Sequence, residues 1–203
     1  MGKKYCLTEE TRTNETDHVL RRIRALIDIP RYGVRAGELG GWVESEDNLS
    51  QRGDSFVRGE AEVYGGAFVY EDAIVEDDAR VFGKAKVSGT ARVYDNAVVR
   101  DNAWISGNAT VKNTATVFDD AWVSGDAKIA GQARVYGNAR ISDEARVFVD
   151  AKVCGNAIVQ DEAWIFDGAE ISGNTRIRQN ARVYKNAKVY GEVIVFGDTH
   201  VTA

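Results

Sequence analysis

Chemistry at neutral pH draws on few kinds of side chain, and this chain is short of several of them. It has two histidines, His18 and His200, near opposite ends of its 203 residues. It has two cysteines, Cys6 and Cys154, which make no disulfide framework. Two histidines cannot build a three-histidine zinc centre, and no Cys/His cluster takes its place, so no metal is expected. A general base must sit within hydrogen-bond reach of its substrate. No residue stands out for that role, and His200 is only a weak candidate. The 31 Asp and Glu residues offer no single marked carboxylate. The aromatic residues are more telling. Trp104 and Trp122 lie 18 positions apart; Ser106 and Ser124 follow them by two, and Asp101 and Asp119 precede them by three. Brought together, these residues would make a flat face edged with hydroxyls and carboxylates, suited to a sugar ring or a protein partner.

What would bring them together is a repeat, and the repeat is strict. Of the 25 residues taken every sixth from Ser55 to Thr199, 21 are Ala; the others are Ser55, Thr175, Val193 and Thr199. Two positions further on, from Val57 to Val201, all 25 are Val or Ile. The unit reads Ala-x-Val-x-[Gly/Asp]-[Asn/Asp/Glu]. Ala and Val, two apart, share one face of a short strand, and the x residues point the other way. Gly, Asn and Asp then tolerate a corner. A six-residue period fits no helix, and recurrent β-branched residues disfavour one.

This hexapeptide resembles that of the left-handed β-helix family, in which three hexapeptides form one triangular coil of 18 residues. The resemblance covers residues 55–201. It implies an all-β fold: a left-handed parallel β-helix of about eight triangular coils, with residues 18 apart stacked at the strand spacing of ~4.8 Å. The N-terminal part, in Arg22-Ile23-Arg24-Ala25-Leu26 and Gly40-Gly41-Trp42-Val43-Glu44 followed by Asn48-Leu49-Ser50-Gln51, is similar to YdcK-like hexapeptide proteins of bacteria and phages. Some of those carry an acetyltransferase label. Enzymes of the wider family are mostly acyltransferases and γ-class carbonic anhydrases. The former imply an acyl-CoA and a histidine near the middle of the prism. Here no histidine lies between 55 and 199, and no loop leaves the phase.

Residues 1–54 break the pattern and are expected to form a small β cap. Val19–Leu26 reads as a strand with Tyr5-Cys6-Leu7 as its partner. Gly37–Val43 reads as a glycine-rich turn ending in an aromatic anchor, and Asp47–Gln51 leads into the first coil. Residues 55–203 form the β-helix. Its last residues, Val201-Thr202-Ala203, are still in phase, so the C-terminal end is read as uncapped and prone to pair with another copy.

Stacking at 18 sorts the outward residues into columns. One face carries the Trp104/Ser106 and Trp122/Ser124 rows, a second Tyr64, Phe82, Arg100, Phe118 and Tyr136. The third holds Phe148, Trp164, Phe166 and Tyr184, interleaved with Arg146 and Arg182. Such columns stabilise a sheet by stacking, form an interface, or bind a flat ligand. Trp104, Trp122, Ser106, Ser124, Asp101 and Asp119 are the candidate binding set. Phe148, Trp164, Phe166, Tyr184, Phe196, His200 and Val201 are the candidate interface.

The net charge of −5 and the lack of a basic block point away from nucleic acid. No apolar run approaches the ~18 residues of a membrane span, and no signal segment is evident, so a cytoplasmic protein is expected. The preferred reading is a non-enzymatic binding or scaffold protein without a cofactor, a dimer or trimer with a protein or carbohydrate partner. The alternatives are an acyl-CoA-dependent acyltransferase and a polysaccharide-binding or phage-associated module.

Overall fold

A β-branched residue two positions after an alanine favours a very short extended segment, and a glycine or aspartate then ends it. Twenty-five strands of two or three residues arise in this way, from Phe56–Val57 to His200–Thr202. The computed structural model, which describes residues 2–203, winds them into a parallel β-solenoid of three sheets. Successive strands go to successive sheets, so each pairs with the strand 18 residues later: Trp104 lies beside Trp122, and Ile105 beside Val123. Between coils, the N–H groups of Trp104, Ser106 and Asn108 donate to the carbonyls of Ala121, Val123 and Gly125 at 2.8–2.9 Å. The repeated Ala and Val/Ile side chains fill one continuous core, each Val or Ile contributing about 1.5–3 kcal/mol on burial. Where Thr175 replaces alanine it stays buried, and its hydroxyl donates to Ser172 O at 2.7 Å. No helix among the described residues is long and apolar enough to cross a membrane.

The N-terminal residues join the same architecture. Strands β1 (Tyr5–Thr13) and β2 (Val19–Ala25) form an antiparallel hairpin with Tyr5 opposite Ala25 and Leu7 opposite Ile23. Strand β3 (Leu39–Val43) pairs antiparallel with β2 and parallel with the solenoid strand Glu62–Val63. The stretch expected as a glycine-rich turn is therefore a strand. Its glycines serve close approach: a Cβ on Gly40 would stand 2.6 Å from Val57 O, and one on Gly41 2.7 Å from Ala61 O. Leu49 then bridges to Val69, and Phe56 pairs with Ile74. The winding thus begins at Trp42, ahead of the first clear hexapeptide, and makes about nine turns. Asn48 secures this irregular first turn, donating to Gly65 O and Ala67 O at 3.0 and 2.9 Å while accepting from Ser45 N–H.

Each corner turns on the fifth residue of the hexapeptide, which has a positive φ: Gly107 at 67°, Asp101 at 60°, Asp119 at 56°. Glycine enters this region freely, and Asp or Asn at modest cost. Val149 occupies the same place at φ 62°. A β-branched side chain there is strained by roughly 1–3 kcal/mol. Val149→Asn is expected to raise stability by about 1 kcal/mol or more. It relieves the strain and repeats the arrangement at Asn113, whose Oδ1 accepts from Gly131 N–H at 3.2 Å. Urea unfolding midpoints of the two proteins check this, and an unchanged or lower midpoint would contradict it.

Lys4 is a second feature with measurable consequences. It is 2% exposed, and its ammonium donates to Ser55 O, to Ser55 Oγ at 3.0 Å and to Gly53 O at 3.2 Å. Burial pulls its pKa down to about 8, against the opposing pull of Asp54 and Asp72. Between pH 8 and 10 the unfolded chain binds more protons at this lysine than the folded one, so stability from this group rises with pH. The rise is expected to reach about 2 kcal/mol over that window, and to be absent in Lys4→Met. Parallel unfolding curves for the two proteins across the window would refute it.

Candidate functional site

Because Ala and Val face inward, the residue between them faces out. This puts Trp104 and Trp122 side by side on the eight-stranded sheet. Their ring centroids are 5.3 Å apart and their planes 10° from parallel. They remain 39% and 36% exposed. Each indole N–H is already satisfied, Trp104 donating to Ser88 Oγ at 3.2 Å and Trp122 to Ser106 Oγ at 3.1 Å. The rings stack along the solenoid axis, so their faces meet neighbours in the column. The Arg140 guanidinium stands 5.7 Å from the far side of the pair, over Trp122, and Lys86 is the register neighbour of Trp104. Solvent meets mainly ring edges. A partner would therefore pack against the row of edges rather than lie flat on one ring.

The expected binding set is brought together only in part. Ser106 holds an indole, and so does Ser88, which was not in the set. Ser124 holds none, because the next residue of the column is Arg140. The carboxylates at the preceding corner serve the backbone. Asp101 accepts from the Arg100 guanidinium and, at 3.3 Å, from Asp119 N–H; Asp119 accepts from Gly137 N–H at 3.0 Å. They staple successive coils together.

The expected interface set divides between two sheets. Phe148, Phe166 and Tyr184 stack at 5.1 and 4.9 Å with nearly parallel planes. Trp164 lies between the guanidiniums of Arg146 and Arg182 at 4.8 and 5.0 Å. His200 meets Tyr184 edge-on at 6.1 Å, and Val201 is half-buried behind it. Phe196 lies on the tryptophan sheet instead, exposed, with Arg178 at 5.6 Å. The remaining column, on the sheet that contains β1–β3, is the most enclosed, with Tyr64 on Phe82, Arg100 on Phe118 and Phe118 on Tyr136.

A polar cluster under the N-terminal hairpin has no counterpart in the repeat. His18 Nδ1 lies 2.9 Å from Glu44 Oε1, and Glu44 Oε2 accepts from Gly65 N–H at 2.6 Å. Nearby, Trp42 is sandwiched by Arg12 and Arg22 at 4.2 and 5.0 Å. Glu60 gathers the Trp42 indole N–H and both guanidiniums at 2.7–3.0 Å. Burial works against the charge on Glu60, yet the indole and the arginines outweigh it and hold its carboxyl below the ordinary range. A carboxylate orienting an imidazole is an arrangement that proton transfer uses. Here it also clamps the hairpin to the first corner. Only the register of β2 on β3, with Arg21 opposite Val43, brings the pair together; spacing in the sequence carries no signal for it. No group of three or more His, Cys, Asp or Glu among the described residues is placed to hold a metal ion.

Residues 91–107 and 133–148, both in the middle coils, match the family described as YdcK Beta solenoid repeat. The solenoid thus carries repeats of the YdcK-like kind. No curated protein matches the chain.

The hydrogen bond from His18, chief among its influences, holds the Glu44 carboxyl below its ordinary pKa. A depressed carboxylate stabilises the fold above its unfolded pKa and loses that contribution as pH falls through its folded value. Glu44→Gln is expected to cost about 0.5–1 kcal/mol at pH 6.5, the scale of a half-exposed pair. At pH 3 the two proteins should differ little. A gap of the same size at both values, read from urea midpoints, would remove the clamp.

Proposed function

We propose that the chain is a non-catalytic binding and scaffold module, a rigid β-prism that self-associates and presents its tryptophan face to a partner. The observation that carries this reading is the Trp104/Trp122 pair. Two large aromatic residues, a third or more exposed, stand together on a flat sheet with their only polar groups already bonded within the chain. What they leave to solvent is apolar edge, flanked by Lys86 and Arg140. Tryptophan and arginine in one patch are the composition that interfaces favour. A side chain fixed by its neighbours also loses little entropy on binding. Against catalysis stands the commitment of Asp101, Asp119, Ser88 and Ser106 to contacts within the solenoid.

Light scattering at two concentrations tests self-association. The expected mass is a multiple of 22.3 kDa, falling to one chain when Trp104→Ala and Trp122→Ala are combined. These residues are outside the core, so the variant should keep its melting temperature within a few degrees. A single-chain mass for the unaltered protein at both concentrations would overturn the self-association. A multimer unchanged in the double variant would move the interface off this face.

A further inference from the structure

Further along the same sheet, past Arg140, the surface changes character. A groove of about 590 Å³ runs parallel to the prism axis. One wall is the corner ladder Asn138, Asn156 and Asn174; the other is the column Arg140, Ile158 and Arg176. The amides point in one direction, Asn138 donating to Asn156 at 3.3 Å and Asn156 to Asn174 at 3.0 Å, and the row ends at Glu192. Each amide has two N–H groups and spends one on the ladder. Among the described residues, neither Arg140 nor Arg176 has a carboxylate within ion-pair distance. From Asn138 to Arg176 the groove is therefore lined with free donors, and Glu192 and Ile194 close its far end, in a chain whose net charge is negative.

The corner beside the ladder adds to this. In the coils above, Asp101 and Asp119 meet the N–H groups of Asp119 and Gly137. From Gly137 on, the same corner is glycine: Gly137, Gly155, Gly173 and Gly191. A Cβ on Gly137 would stand 3.0 Å from Gly155 N, so the missing side chain uncovers that N–H. No acceptor among the described residues meets the N–H groups of Gly155, Gly173 or Gly191. The chain itself shows, two coils away, that a carboxylate fits this place. The next corner also has successive glycines, Gly89, Gly107 and Gly125. There, Asp126 and Glu144 line the adjoining groove beside Lys128 and Arg146, so its cations already face carboxylates of the chain.

We infer that the groove between the Asn138–Asn174 ladder and the Arg140–Arg176 column binds an acidic linear polysaccharide, one carrying a carboxylate on alternate sugars. This rests on reading the chain as a binding module. Spacing selects the glycan over an acidic peptide. Arg140 and Arg176 are two coils apart, ~9.6 Å at the strand repeat, whereas an extended peptide puts side chains on one face every ~6.7 Å. An extended glycan advances by close to one coil per sugar. Alternate carboxylates then meet Arg140 and Arg176, the intervening ring covers Ile158, and the spare amide N–H groups meet hydroxyl and ring oxygens.

Calorimetric titration with a hyaluronan octasaccharide, as an alternating uronate glycan, tests this on the full chain. The expected result is saturable binding that weakens at least tenfold in Arg140→Ala/Arg176→Ala, and is lost for the carboxyl-reduced octasaccharide. Arg140→Lys/Arg176→Lys, which keeps charge without the planar fork, should fall between. Matching melting temperatures of the variants show that they fold. No binding, equal binding by the alanine variant, or equal binding of poly-glutamate would each overturn the inference. Trp104→Ala/Trp122→Ala should retain glycan binding. If glycan binding fails while the mass still depends on the tryptophans, only the groove assignment falls.

Discussion

Every residue of the prism sits one coil, ~4.8 Å, from the residue 18 positions later, in unbroken parallel register. This constraint rules the rest. The core can be built from two residue types because the same small and branched side chains meet at every level. Ala61 through Ala169 and Val57 through Val183 are buried without exception in their series. A single added residue would shift the outward set inward for all later coils. From 55 to 201 the chain has no insertion that would do this.

The same register decides what the surface can do. A side chain on a face must tolerate its neighbour one coil away, and like charges opposite one another are unfavourable. In places the chain alternates arginine with aromatic rings, as in Arg100 on Phe118 and Arg146–Trp164–Arg182, while Lys128 stands beside Arg146 and Arg134 beside Lys152. At the corners it pairs amides with carboxylates, as in Asn102 with Asp120 and Asn108 with Asp126. Polar groups are thereby satisfied along the axis, within the chain. Groups left over where a ladder changes its composition are the informative ones. The tryptophan pair is one such place, and the groove that begins at Arg140 is another.

This explains which parts could be read from residues alone. The repeat sets the phase, and phase alone places Trp104 beside Trp122 and Phe148 in line with Phe166. It could not say that indole N–H groups bond across coils to Ser88 and Ser106, since that depends on a rotamer. Nor could it tell a staple from a ligand: Asp101 and Asp119 look alike as site residues and as corner residues. Outside the phase the reading weakened. Gly40 and Gly41 signal a turn by composition, and only the closeness of β3 to Val57 and Ala61 shows that they belong to a strand. The buried Lys4 and the His18–Glu44 pair depend on contacts between segments 26 to 51 residues apart.

A prism made in this way has few means of building an enclosed pocket. Its strands are two or three residues long, its corners are tight, and no loop leaves the repeat between 55 and 201. Recognition is then confined to the flat faces and to the shallow grooves beside the corner ladders. Both repeat at the coil spacing, so each position offers little by itself and affinity must accumulate along the axis. The partners that suit such a surface are those with a flat, complementary face or with a repeat of their own. That favours assembly and the binding of linear polymers over the capture of a small substrate, and it connects the tryptophan face and the arginine–asparagine groove to the register that produces them.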